Sequence, residues 1–348
     1  MKKYTDDIIE LNREVEPYVL NAARPRSQHL FQNYYGDKFS PIAFVHASDV
    51  HNVPALWDRM VQYINHYSEY ISFGIHTGDY CGGINTLYTD MYTECTPCVH
   101  PILNCVGNHD CAAPDTDWTT PCDKALVHSL LFNHTENWDV QFCPGTYPMS
   151  YYKDFEASNL RLIVLDLYYD IAQTRVWLKS ILEDAKEKGL HVMTAMHEPT
   201  NYIAAPLDTP FHHYDDYDGA VKQKEAQRVK PSYDQRDRVT FEDIIAGFIE
   251  NGGNYICNLA GHDHVDSFGY TESGVLNAVV QNATDWDVLN DGARTPGTKC
   301  RDCFNVVGVD TEQGLLKLVR IGNNTDIYLR SKNALCYDYV HRKFIRRG

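Results

Sequence analysis

The chain lacks long apolar runs. Among its 348 residues the longest are under ten, too short for a transmembrane helix, which needs about 20. No signal peptide is visible either, and none is expected. Lys2 and Lys3 stand near the start, but Asp6, Asp7 and Glu10 fall where its apolar region belongs. The expected compartment is therefore cytoplasmic, with no membrane partner. Basic charge is scarce too: 31 Lys and Arg stand against 47 Asp and Glu, a formal net charge of −16. Such a surface opposes broad binding to a phosphate backbone, so nucleic acid is an unlikely partner on charge alone. Clustered cations in a site would still attract a single phosphate. There is no internal repeat and no low-complexity segment.

The cysteines do not form an even set; there are eleven. In a long chain without a secretion signal, free thiols are expected rather than a disulfide framework. Cys95-Thr96-Pro97-Cys98 and Cys300-Arg301-Asp302-Cys303 have metal-ligand spacing. Together they could close a structural tetrathiolate zinc site; free thiols are the alternative.

What is present suits a globular protein: 43% of residues are hydrophobic and 22% charged. Residues 1–40 read as an N-terminal arm, broken at Arg24-Pro25-Arg26, that packs on a main domain of 41–348. Apolar runs predict strands at Pro41–Ala47, Tyr70–His76, Pro101–Leu103, Thr146–Tyr152, Leu160–Leu167, His191–Met196, Tyr255–Leu259, Val275–Val280, Phe304–Val309 and Leu315–Arg320. Stripes at helical spacing predict helices at Pro54–Tyr70, Gln173–Gly189 and Phe241–Asn251. In the second, Val176, Trp177, Ile181 and Leu182 are expected to face inward, and Gly189 closes it. A polar, aromatic stretch at 200–237, containing His212 and His213, reads as a long insertion loop over a site.

Five of these strands run into metal-donor residues: Asp49 and His51, Asp79, Asn108, His197, then His262 and His264. Residues two apart on an extended chain point the same way. Asp49 with His51, and His262 with His264, are thus expected to act as pairs. Any one string is ordinary turn chemistry; Gly107-Asn108-His109-Asp110 alone would read as a turn. Five in succession read as a site. Seven donors exceed one tetrahedral ion and suit two ions sharing a carboxylate, the arrangement used at phosphoryl centres. Asp110, just behind, reads as a cap or turn acceptor.

Asp49-Val50-His51, Gly78-Asp79, Gly107-Asn108-His109-Asp110, His197 and Gly261-His262-Asp263-His264, in this order, resemble the calcineurin-like metallophosphoesterase superfamily over residues 41–320. Tyr151-Tyr152, Leu162–Asp166 and Gln173–Leu178 are similar to its connecting elements. The resemblance implies an α/β (α+β) fold: a four-layer β-sandwich flanked by helices, with the site at the C-terminal ends of the strands. It implies that Asp49, His51 and His264 hold one ion, that Asn108, His197 and His262 hold a second, and that Asp79 bridges them. The two divalent or trivalent ions would be Mn, Fe or Zn, with a bridging hydroxide attacking phosphorus. His109 would be the catalytic histidine, and the substrate a small phosphate mono- or diester.

Two departures stand out. Gly82 sits where many members have a second Asp that orients this histidine, and where purple acid phosphatases have a metal-binding Tyr. The Gly-Asp-x-Val-Asp-Arg-Gly string of the protein Ser/Thr phosphatases is absent as well. The partner of His109 is therefore open. The alternative readings are a metal-binding or interaction protein with a retained but weakly active site, or a nuclease.

Overall fold

Strand β1 (Ile42–Ala47) is buried along its whole length, as expected of a central strand covered on both faces. The computed structural model describes residues 8–22, 38–81, 95–111, 122–132, 135, 138–200, 205–206, 235–264, 266–271, 273–287, 292–322 and 333–347. Before β1 come α1 (Ile8–Leu11) and α2 (Glu16–Ala22). After it come α3 (Pro54–His66), β2 (Gly74–His76), β3 (Ile102–Asn104), α4 (Asn108–Cys111), α5 (Lys124–Leu131), β4 (Gln141–Phe142), β5 (Tyr151–Phe155) and β6 (Leu160–Val164). Then follow α6 (Ile171–Lys188), β7 (His191–Ala195), β8 (Ala205–Pro206), α7 (Gln235–Glu250), β9 (Asn254–Ala260), β10 (Ser267–Tyr270) and β11 (Leu276–Val279). A small ribbon, β12 (Trp286–Asp287) with β13 (Gly292–Ala293), precedes β14 (Cys303–Asp310), β15 (Leu315–Gly322), β16 (Ala334–Asp338) and β17 (Lys343–Arg347).

The first sheet has the order β17-β16-β15-β14-β1-β2-β3 and the second β4-β5-β6-β7-β9-β11-β10-β8. Both are mixed. β1, β2 and β3 are parallel, and β14 to β17 continue as an antiparallel meander. In the second sheet β6, β7, β9 and β11 are parallel. The inner faces share one apolar core. Phe73, beside β2, stacks on Phe155 of β5 at 4.9 Å, and the Tyr151 hydroxyl donates to the Asn104 carbonyl at 2.9 Å. Outside the first sheet, α2 packs on β14 and β15, and α3 meets β2 through Ile64. Outside the second, α6 and α7 pack on each other and on β7 and β9. This is the α/β, four-layer sandwich that the resemblance implied.

Some local expectations are corrected. Only Gly74–His76 of the 70–76 run pairs as a strand. Val176 is 72% exposed, because the buried stripe of α6 runs through Thr174, Leu178, Ile181, Leu182 and Ala185; Ile181 and Leu182 are buried as expected, and Trp177 packs partly buried on the core. Gly189 does close α6, in the left-handed conformation. Between the predicted strands at Pro101–Leu103 and Thr146–Tyr152, where no element is expected, lies α5, whose start Asp123 caps by accepting the Leu126 N–H at 3.2 Å. β10 is too short, and β17 too charged, to read as a strand, and β16 is not expected either.

All eleven cysteines are free thiols. The two Cys-x-x-Cys pairs do not converge: among the described residues, no group of clustered ligand atoms includes a cysteine. Cys303 is buried against Gln281 and Arg320, Cys300 is exposed, and the Cys95 thiol donates to the Pro54 carbonyl.

Candidate metal centre

All seven predicted donors meet at the C-terminal ends of five strands. β1, β2 and β3 of the first sheet lead to Asp49 and His51, to Asp79, and to Asn108 at the start of α4. β7 and β9 of the second sheet lead to His197 and to His262 and His264. Neither sheet alone supplies a full set.

The chain beyond the strands is not extended, so the premise of the pairing argument fails, although Asp49 and His51 still fall in one group. Asp49, His51, Asp79, His262 and His264 all have positive φ, between 43° and 65°. For a residue with a Cβ this costs about 1 kcal/mol or more. The coils are held by hydrogen bonds between strand ends. The Asp49 N–H donates to the Gly78 carbonyl (2.9 Å), His51 N–H to Asp79 (3.1 Å) and Gly261 N–H to His197 (2.9 Å). Asp49 Oδ2 accepts the His262 N–H, and Asp79 Oδ1 the His109 N–H, both at 2.9 Å. Asp110 acts as the acceptor the sequence suggested. Its Oδ2 takes the N–H groups of Gly107 and Asp79, and its Oδ1 that of Tyr80, each at 2.8 Å. Gly107 is required for close approach: a Cβ there would overlap Asp79 Oδ1.

The donors fall into two groups. In the first, His264 Nε2 lies 3.0 Å from His51 Nε2 and 3.1 Å from Asp49 Oδ1. In the second, Asn108 Oδ1, His197 Nε2 and His262 Nδ1 form a triangle with sides of 3.0, 3.0 and 3.1 Å. Asp79 Oδ2 stands between them, 3.8 Å from His51 Nε2 and 3.3 Å from His197 Nε2. His262 and His264, expected as a pair, therefore face different groups, whereas Asp49 and His51 share one.

This geometry fits cations. Ligands at about 2.1 Å from an ion and at right angles lie about 3 Å apart, the spacing found here. Asp49 Oδ1 is buried without an aligned hydrogen bond. His197 Nδ1 lies 2.7 Å from the Thr77 carbonyl, which can only accept, so that nitrogen carries the proton and Nε2 is left for ligation. A backbone partner of this kind leaves no trace in sequence.

Electrostatics agree. Burial opposes ionised Asp49 and Asp79, yet the surrounding histidines hold both carboxyls below the usual range. Burial also works against a charged His197, but Asp79, with Asp49 and Glu198, raises it to about 10. Burial lowers His51 to about 4. A bound cation would take over from the imidazoles in balancing the buried carboxylates.

His109 lies at the rim, its side chain 30% exposed, with Nε2 3.9 Å from Asp79 Oδ2 and its ring edge-on to His51 at 4.9 Å. Gly82 lies outside the described residues, as do His212, His213 and most of the 200–237 loop. Sequence reading overlooked the pair at the second sheet's rim: Tyr168 donates to Glu198 Oε1 at 3.2 Å, directly after His197. A buried acid following a ligand was the available signal.

No protein-family model and no curated protein matches the chain. Solved structures are similar to it. A dimetal phosphatase from Danio rerio is 13% identical with a TM-score of 0.54, over 86% of this chain and 99% of that one. A purple acid phosphatase from yellow lupin (Lupinus luteus) seeds is 12% identical with a TM-score of 0.48, over 82% and 52%. A predicted phosphoesterase from Streptococcus pneumoniae is 11% identical with a TM-score of 0.32, over 85% and 97%. With its two mixed sheets, flanking helices and donors at the strand ends, the chain has the fold of the calcineurin-like metallophosphoesterases.

Proposed function

We propose that this protein is a metal-dependent phosphoesterase that hydrolyses a small phosphate mono- or diester at two metal ions. One observation carries the reading: seven buried or half-buried donors from two sheets form two groups that share Asp79 Oδ2. Asp49, His51 and His264 would hold one ion, Asn108, His197 and His262 the other, and Asp79 both. Oxygen and nitrogen donors of this kind suit Mn, Fe or Zn. Such ions supply Lewis acidity toward phosphoryl oxygens and lower the pKa of water.

The chain's own groups do the rest. Thr77 fixes the His197 tautomer, and Asp110 braces the loops that carry Asp79 and Asn108. His109, at the rim beside Asp79, would give a proton from its ring to the leaving oxygen. The experiment is a panel of aryl phosphate mono- and diesters with Mn²⁺-loaded protein. Activity should vanish on chelation and return with Mn²⁺. His109→Ala should lower the rate by roughly a hundredfold or more while bound metal stays unchanged. A folded, metal-loaded sample that is inert across the panel removes the proposal and leaves a metal-binding protein.

A further inference from the structure

The acidic chain carries one concentrated basic segment. Residues 339–348 include Arg342, Lys343, Arg346, Arg347 and His341, with no Asp or Glu, in a molecule of net charge −16. The segment forms the turn after β16 and then β17, the last strand of the first sheet in its order. Phe344 turns inward against Tyr337 and Phe268, with ring centroids at 4.9 and 6.0 Å. Lys343 and Ile345, on either side of it, take the outward positions. The side chains of His341 and Lys343 are 70% and 60% exposed. Asp338 opposes the patch, 2.8 Å from His341 Nδ1 and 4.0 Å from Lys343 Nζ, and the Arg342 guanidinium lies over the Tyr270 ring at 4.7 Å. Val340, on the turn, is 59% exposed and Ile345 57%.

Charge on an edge strand can simply discourage pairing with other strands. That does not account for two exposed aliphatic side chains, one of them on the turn. An extended acidic peptide laid along β17 would leave Val340 and Arg342 uncovered. Cations interleaved with exposed aliphatics instead match an anionic lipid surface, where cations meet headgroup phosphates and aliphatics enter the interface.

We propose that the β16–β17 hairpin docks the protein on an anionic membrane surface. Such docking requires no spanning segment, and no helix of the described residues is long and apolar enough to cross a membrane. β17 runs parallel to β1, so the hairpin turn lies at the end of the sheet opposite the metal donors. Docking through the turn leaves the donor end facing water, and the acidic remainder is repelled from the same surface.

Co-sedimentation with phosphatidylcholine vesicles, with and without phosphatidylserine, tests this. The full chain should bind only the phosphatidylserine vesicles and release them as salt rises. Lys343→Glu should weaken binding by roughly tenfold. Ile345→Ser should weaken it severalfold with the salt dependence kept. Both variants should keep the wild-type melting temperature and metal content, which controls for misfolding. Equal sedimentation with both vesicle types, or wild-type binding by both variants, would overturn the proposal. Retention on polyglutamate without vesicle binding would also overturn it, in favour of an acidic peptide partner.

Discussion

At the scale of single residues, the buried acids divide by their neighbours. Asp49 and Asp79 are surrounded by histidines and stay ionised. Asp166, after β6, is equally buried. It accepts the N–H groups of Tyr168 (3.0 Å) and Tyr169 (3.1 Å), and burial still pushes its carboxyl up to about 7. The folded state therefore holds this proton more tightly than the unfolded chain, where Asp titrates near about 3.9. Its stabilising effect is complete below about pH 4 and is lost as pH rises towards 7. Asp166→Asn removes the titration. The stability of the wild type relative to the variant should fall by roughly 2–4 kcal/mol between about pH 4 and pH 7. Urea unfolding across that range measures it, and a flat difference would mean that Asp166 is ionised in the folded protein.

At the scale of elements, the strand ends do the positioning. Donor identity was legible in sequence because each apolar run stops and a donor string begins. Donor direction was not, because five of the seven sit in left-handed backbone that a period-two argument cannot foresee. Asp79 is the joint: its Oδ2 lies between the two groups, while Gly107 and Asp110 hold it from behind. If Asp79 serves both ions, Asp79→Asn should cost the protein both. His264→Ala should cost about half of the bound metal and spare the group of Asn108, His197 and His262. Metal analysis after dialysis against Mn²⁺ distinguishes the two. Equal loss from both variants would make the groups a single site.

At the scale of the molecule, the centre is a contact between sheets. Each donor group draws on both, so occupation should tie them together and stabilise the folded chain. At a free ion concentration about a hundred times the dissociation constant, the gain is about 2.7 kcal/mol. Mn²⁺ should therefore raise the melting temperature of the chelated protein by a few degrees, an effect lost in Asp79→Asn. Scanning calorimetry with and without chelator is the measurement.

The sequence by itself determined which strands carry donors, what those donors are, and that Asp110 is an acceptor. These follow from neighbours in the chain, where an apolar run meets a polar end. It also determined the central strands and α6, although not the exposure of Val176. The grouping of the donors around Asp79 was implied by the resemblance and not by any local pattern; only the tertiary structure decided that Asp79 Oδ2 stands between the groups and that Thr77 fixes the His197 tautomer. Thr77 and His197 are 120 residues apart, and His51 and His264 are 213 apart. Contacts of that span are set by how one sheet packs on the other, and no local pattern encodes them.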